Sequence, residues 1–346
     1  MRHWRALDGL RGVAMLIVFT GHLRGTPARG GFIGVDVFFV LSGFLITGLL
    51  IREQDRHGRV SLRDFFLRRV LRLYPALLLL CVVAVPMAAL SERYQVRATA
   101  LGLLSALAYC FNLAGIFRDT PTMVGNLWSL SVEEQYYLLW APAAAWLLAR
   151  GRLTWQVLAG LAAGGWVVLA VTTAVWGRSG TAQAYFQLHG HLSELLLGGL
   201  LAWAVRNERL PRLVRSPLPA LAAIAVLLTS ARVIQRVDSP KMLLVYALLA
   251  LCSATLIGHL VSREDSPIGG FLSHPVWVHL GVRSYAFYLF HRPVIHLVEE
   301  HLHSRLAVAS TAMVISLALA EVSWRLVESP ALARKDRFTR VPVAAA

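Results

Sequence analysis

The sequence predicts an all-α fold, a polytopic membrane helix bundle of about ten transmembrane helices with both termini cytoplasmic. Three observations carry this reading. The chain is 57% hydrophobic and only 15% charged, with a mean hydropathy of +0.59, which is too apolar for a water-soluble domain. Apolar stretches long enough to cross a bilayer recur from one end of the chain to the other. The formal net charge of +15 is gathered into short arginine-rich connections, as in the cytoplasmic loops of membrane proteins. On a soluble chain that charge would suggest nucleic acid. Between apolar runs it marks topology instead, so no nucleic-acid partner is expected and the lipid bilayer is.

In order, the apolar segments fall near 7–23, 32–51, 70–90, 98–116, 133–149, 154–176, 185–205, 217–234, 242–262, 283–299 and 306–328. The loop 52–73 carries Arg52, Arg56, Arg59, Arg63, Arg68, Arg69 and Arg72, so it is cytoplasmic. One hairpin precedes it, which places the N-terminus, with Arg2 and Arg5, on the same side. If every segment crossed, the basic loop Arg206, Arg209, Arg212, Arg215 and the tail Arg334, Lys335, Arg337, Arg340 would lie outside. One non-crossing segment between 98 and 149 returns both to the cytoplasm, together with Arg150 and Arg152. The expected non-crosser is 98–116, as a re-entrant or tilted piece, which leaves ten crossings. Residues 1–333 then form one integral membrane domain and 334–346 a short basic cytoplasmic tail. No cleavable signal peptide, internal repeat or terminal soluble domain is expected. Cys81, Cys110 and Cys252 lie inside apolar runs and read as small core residues.

Charged groups inside such segments are costly and mark pathways or sites. The first segment, RALDGLRGVAMLIVFTGH, carries Arg11 and His22 eleven residues apart. On a helix that is three turns plus about 20°, so both share a face, about 16 Å apart along the axis. Each alone also fits an ordinary membrane-edge residue. The outer level holds His22 and Glu133, the latter in NLWSLSVEEQYYLLW. Trp128 and Ser129 precede Glu133 there, and Ser129 and Glu133 are four apart on one helical face. Ser131 and Glu134 have the spacing of a capping box.

The inner level holds Arg11, Arg69 and Arg72. Arg69 and Arg72, three apart, fit either positive-inside anchors or a clamp for phosphate. In GGFIGVDVFFVLSGFLITGLL, Asp36 lies near the outer end and Ser42 near the middle, and Gly34, Gly43 and Gly48 allow close helix approach. Asp36 is a site residue, an arginine partner or a helix cap. Glu194 sits in HLSELLLGGLLAW, and Glu328 near the last boundary is expected to pair with a basic group. His291 in SYAFYLFHRPV is deeper, and Pro293 predicts a broken helix there. His189, His191, His296, His301 and His303 read as loop or interfacial residues. No acid–histidine set has the spacing of a metal motif, so no metal is expected.

A histidine and an acid outside, with arginines inside, suit a group transfer across the bilayer. A neutral His22 can take a proton from an acceptor hydroxyl, oriented by Glu133. The arginines can hold the phosphates of a donor with a long flexible arm, and about 16 Å is comparable to an extended pantetheine chain. On that reading acyl-CoA enters from the cytoplasm. The residues alone leave open a transporter or flippase of a lipid or glycoconjugate.

The chain resembles the acyltransferase-3 family of integral membrane O-acyltransferases over residues 3 to 332. The resemblance rests on LDGLR followed by Arg11-x10-His22, on GVDVFFVLSGFLI, on Arg69-x-x-Arg72 before LYPA, and on LWSLSVEEQYYLLW. ELLLGGLLAW, SYAFYLFHRPV and the closing RLVESP complete it. It implies about ten spans in a bacterial plasma membrane. It also implies transfer of an acetyl or other short acyl group from cytoplasmic acyl-CoA, acetyl-CoA first, to a hydroxyl. Acceptors in the family include cell-envelope sugars and glycosylated antibiotics. His22 would be the base or relay and Glu133 its support. Arg11, Arg69 and Arg72 would be donor-binding or structural. Asp36, Ser42, Trp128, Ser129 and His291 would line the substrate or support the site. The chain departs from the family pattern at His191, where arginine is common, and at Arg292, where tryptophan is common, which leaves the acceptor open. Without an extracytoplasmic esterase-like domain the chain is expected to act alone or with a partner. Its short outer loops favour a small glycosylated acceptor over a polymer. Acyl chain length and oligomeric state stay open.

Overall fold

The computed structural model describes residues 3–26, 30–114, 122–234 and 242–334, and among these there is no strand. The first half of the chain forms α1 (Arg5–His22), α2 (Ile33–His57), α3 (Leu62–Leu90) and α4 (Val96–Leu107). A 3₁₀ turn at Gly125–Leu127 leads into α5 (Trp128–Ala149), followed by α6 (Trp155–Tyr185), α7 (Leu188–Arg206) and the single turn α8 (Arg212–Arg215). Then come α9 (Pro217–Val233), α10 (Met242–Ser262), α11 (Pro267–Leu272), α12 (Pro275–Val282), α13 (Ser284–His301) and α14 (Arg305–Ser323). A π turn, Trp324–Glu328, and α15 (Ser329–Ala333) close the described chain.

Local chemistry sets the helix ends. Ser61 and Thr154 accept from the backbone N–H three residues on, capping α3 and α6. Gly58, at φ 67°, takes the left-handed position that ends α2.

Among the described residues six helices are long and apolar enough to cross a membrane: Ile33–His57, Leu62–Leu90, Trp155–Trp176, Leu188–Arg206, Leu243–Ser262 and Arg305–Ala333. Large apolar side chains such as Leu139, Val171, Trp176, Leu244 and Val314 stand exposed on these and neighbouring helices, as lipid-facing residues do. Within the segment 98–116 the described helix is α4, of 12 residues. At 1.5 Å per residue it spans about 18 Å, short of a hydrocarbon core of about 30 Å. Residues 115–116, and the tail from 335 onward, lie outside the described residues.

The chain forms two compact units. The first comprises Met1–Gly21, Pro27–Val60 and Val132–Gly281. Its centre is the pair α2 and α7, which run parallel. Asp36 faces His191 near their N-terminal ends, and Arg206 binds Asp55 through two hydrogen bonds of 2.5 and 3.1 Å near their C-terminal ends. Two glycines bring the backbones together. A Cβ on Gly43 would lie 1.8 Å from the Leu195 carbonyl oxygen, and one on Gly198 would lie 2.1 Å from that of Val40. Around this seam pack Leu7, Leu10 and Ala14 of α1, Leu41 and Phe44 of α2, and Leu249, Leu256 and Leu260 of α10. Lipid is as apolar as these side chains, so close van der Waals fit rather than exclusion from water holds the helices together. Trp140 Nε1 donates to Thr47 Oγ1 at 2.9 Å and ties α5 to α2.

The second unit comprises His22–Thr26, Ser61–Ser131 and Val282–Ala346. Here α3 and α13 run parallel. The Tyr285 hydroxyl donates to the Leu73 carbonyl at one end, and Ser91 Oγ donates to Glu300 at 2.6 Å at the other. Arg283 and Glu321 form an ion pair between α13 and α14. Glu328, expected to pair with a basic group, is buried and accepts a hydrogen bond of 2.8 Å from Ser323 Oγ.

Candidate active site

His22 closes α1, and in the second unit its Nδ1 lies 3.3 Å from Nε2 of His291, with the rings edge to face at 4.9 Å. His291 is fully buried, stacked against Phe287, and its Nδ1 lies 2.8 Å from the Tyr288 carbonyl oxygen. That carbonyl can only accept, so Nδ1 of His291 carries the proton. Nε2 of a neutral His291 therefore presents a lone pair, and the contact with His22 requires His22 Nδ1 to donate. The basic nitrogen of a neutral His22 is then Nε2. One imidazole thus fixes the tautomer of the other.

Pro293 predicts a broken helix beside His291. The structure corrects this: α13 runs through Pro293 to His301. Side-chain donors gather on the turn that proline loosens. Besides His291, Asn126 Nδ2 donates to the Tyr288 carbonyl at 2.6 Å. The carbonyl that loses its helical partner at Pro293 is that of Leu289, the next residue along. The Tyr288 hydroxyl donates to the Asn126 carbonyl at 2.7 Å, so in its 2.5 Å contact with Ser129 the serine is the donor. The turn before α5 therefore grips the turn of α13 that carries His291. Asn126 and Tyr288 were not singled out from the sequence, because nothing in their spacing shows that they meet. Trp128, beside Ser129, is buried.

Further along α13, Arg292 Nε donates to His296 Nε2 at 3.1 Å, and His296 Nδ1 lies 3.0 Å from the Tyr94 hydroxyl. His296 is thus bonded through both nitrogens rather than a plain interfacial residue. Burial pushes the Tyr94 hydroxyl above its ordinary value. The Arg292 guanidinium also lies against Gly125, where a Cβ would come within 2.6 Å of it.

In the first unit, Ser42 Oγ donates to Glu133 Oε1 at 2.7 Å, so two residues expected at the site are paired. Ser131 does not cap a helix: α5 begins three residues earlier, at Trp128, and Ser131 Oγ accepts from the Phe111 N–H at 3.2 Å. His191, read from the sequence as a loop or interfacial residue, is buried in the first turn of α7. Its Nδ1 lies 2.9 Å from Glu194 Oε2 and its Nε2 lies 2.7 Å from the Tyr185 carbonyl oxygen. Asp36, offered among other readings as an arginine partner, faces this histidine instead, at 3.9 Å. Arg11 is half-buried midway along α1. Arg69 and Arg72 lie one turn apart on α3, Arg69 half-buried and Arg72 exposed.

A family model for an acyltransferase domain, of the acyltransferase-3 type, matches residues 4–324. The chain is 31% identical over 358 residues to the peptidoglycan O-acetyltransferase OatA of Listeria monocytogenes, covering 96% of this chain and 56% of that protein. It is 32% identical over 350 residues to the Bacillus subtilis protein named "Putative peptidoglycan O-acetyltransferase YrhL", covering 95% of this chain and 55% of that one. The chain therefore spans little more than half the length of these relatives. No solved structure matches it.

Proposed function

The chain belongs to the acyltransferase-3 family, and from that premise we propose a membrane O-acyltransferase of the bacterial plasma membrane. It moves an acetyl or other short acyl group from acyl-CoA to a hydroxyl of a carbohydrate or glycosylated natural product. The observation that carries this is the His22–His291–Tyr288 chain, which leaves His22 Nε2 as a base held in one tautomer. His22 Nε2 removes the proton from the acceptor hydroxyl as its oxygen attacks the thioester carbonyl. Collapse of the tetrahedral intermediate breaks the C–S bond, and the proton passes to the departing sulfur, giving an ester and free CoA thiol. His291 accepts from His22 and steadies the imidazolium that forms, as the third member of a catalytic triad does. Glu133, held by Ser42, is the acid proposed to support the transfer. The names of the relatives favour a cell-envelope sugar as acceptor.

Ten crossings with cytoplasmic termini suit this reading. Between the parallel helices α2 and α7 an odd number of segments must cross, and α3, α5 and α6 are three; a crossing α4 would make the pair antiparallel. Between the parallel α3 and α13 the crossing segments are α5, α6, α7, α9 and α10, again an odd number. The cytoplasmic end of α3 then carries Arg69 and Arg72 on one face, where they hold donor phosphates. Replacing Arg69 or Arg72 by alanine is expected to raise KM for acetyl-CoA about tenfold or more while kcat changes less, because a charge-assisted bond is worth about 1.5–3 kcal/mol. Steady-state kinetics against acetyl-CoA separates the two. Tyr288→Phe is expected to lower kcat by up to about tenfold with KM retained, the effect of one neutral hydrogen bond on the position of His291.

The test of the activity is thiol release from acetyl-CoA by purified protein with candidate sugars. Release that depends on the sugar supports a transferase. Binding or movement of a glycoconjugate without thiol release favours the transporter reading.

A further inference from the structure

We propose that Asp36, His191 and Glu194 form a binding site for a divalent transition-metal cation, with Zn²⁺ or Mn²⁺ as its class of ligand. The proposal does not depend on the acyl-transfer reading. One imidazole nitrogen and a carboxylate oxygen from each acid lie within 4.8 Å of one another, and all three side chains are buried, at 0%, 1% and 1% exposure.

The hydrogen-bond inventory argues for a cation. The contact of 2.7 Å with the Tyr185 carbonyl fixes the proton of His191 on Nε2. A metal-ligating histidine carries the same second bond, which orients the ring and selects the tautomer. Nδ1 of the neutral ring then presents a lone pair to Glu194 Oε2, 2.9 Å away. Two electron-rich atoms at that distance need a positive species with them. One proton would satisfy this contact alone. Both oxygens of Asp36 and Oε1 of Glu194 would still be buried without a hydrogen-bond partner. Among the described residues no arginine or lysine pairs with either acid. A divalent ion takes one oxygen from each acid and balances two carboxylates in a medium where uncompensated charge is costly.

The geometry agrees. Tetrahedral ligands about 2.0–2.2 Å from a metal lie about 3.4 Å apart. The Nδ1 separations of 2.9 and 3.9 Å, to Glu194 and Asp36, bracket that value. An imidazole with carboxylates and no thiolate suits Zn²⁺ and Mn²⁺. Phe39, Tyr185 and Tyr246 surround the imidazole, with centroids at 4.3, 5.0 and 6.5 Å, and hold it in place. Sequence inspection missed the set because its members come from two helices 155 positions apart and match no linear motif.

The test uses the full chain in detergent, stripped with a chelator, reloaded separately with Zn²⁺, Mn²⁺ or Mg²⁺, and freed of excess ion before metal analysis. The expected result is about one equivalent of Zn²⁺ or Mn²⁺ per chain, no retained Mg²⁺, and a rise in Tm on loading that a chelator reverses. Glu194→Gln, and His191→Arg, which supplies a fixed cation instead of a ligand, are expected to retain less than about a tenth as much. If a variant does not fold, the metal content and Tm shift of the unaltered chain decide. Equal retention by the unaltered chain and Glu194→Gln, or no retention and no Tm shift, would overturn the proposal.

Discussion

His22→Ala lowers acyl transfer by about 10²–10⁴-fold, the range a positioned general base supplies. The loss falls on kcat rather than on KM for the donor, because the imidazole acts on the proton of the acceptor hydroxyl and not on the phosphates. Folding is expected to survive. His22 is the last residue of α1 and only half-buried, so its removal opens no deep cavity. His291→Ala is a different case: it deletes a fully buried ring and also releases His22 Nδ1 from its acceptor. His291→Gln is the better probe of positioning, since its amide oxygen can still accept from His22. Partial recovery in His291→Gln over His291→Ala separates orientation of His22 from simple packing. The measurements are kcat and KM for both substrates, with size-exclusion profiles to show that each variant is folded.

Gly43→Ala removes most of the folded protein. The added Cβ would lie 1.8 Å from the Leu195 carbonyl oxygen and 2.6 Å from its carbon, and both are backbone atoms of a helix that cannot turn aside. Helices α2 and α7 would have to part by more than an ångström. That loses contact along the seam and separates Asp36 from His191. Overpacking typically costs about 1–3 kcal/mol and sometimes more, a large share of a protein's net stability. Gly160→Ala on α6 is the control, since nothing lies within 4 Å of its added Cβ. It is expected to leave stability unchanged or raise it by up to about 1 kcal/mol, the helix-propensity difference between glycine and alanine. Tm in mild detergent, together with the fraction that elutes monodisperse, checks both.

Periodicity and hydropathy made the helices legible. Residues 5–22 read as one apolar helix, and α1 runs over those residues. Gly43 was readable as a point of close approach. Which carbonyl it would meet was not, since Leu195 is far away in sequence. The candidate site divides along the same line. Relations within one helix, such as Arg11 to His22 or Arg69 to Arg72, follow from 3.6 residues per turn. Relations between helices do not. The pairing of His22 with His291, the grip of Asn126 on Tyr288 and the meeting of Asp36 with His191 all join positions that only tertiary packing brings together. Local rules also failed where packing overrode them. Ser131 and Glu134 had the spacing of a cap, yet α5 starts at Trp128 and Ser131 serves the Phe111 N–H. Pro293 had the look of a break, yet α13 runs through it to His301.

The central claim is that a donor entering from the cytoplasmic face delivers its acyl group to a hydroxyl at the other face through His22. Inside-out vesicles, with the acceptor sugar sealed in the lumen and acetyl-labelled CoA added outside, test it most directly. The account predicts labelled ester on the enclosed sugar, thiol released outside in equal amount, and neither with His22→Ala. Labelled ester at the unaltered rate in His22→Ala vesicles would contradict it, as would ester formed only when donor and acceptor share one side.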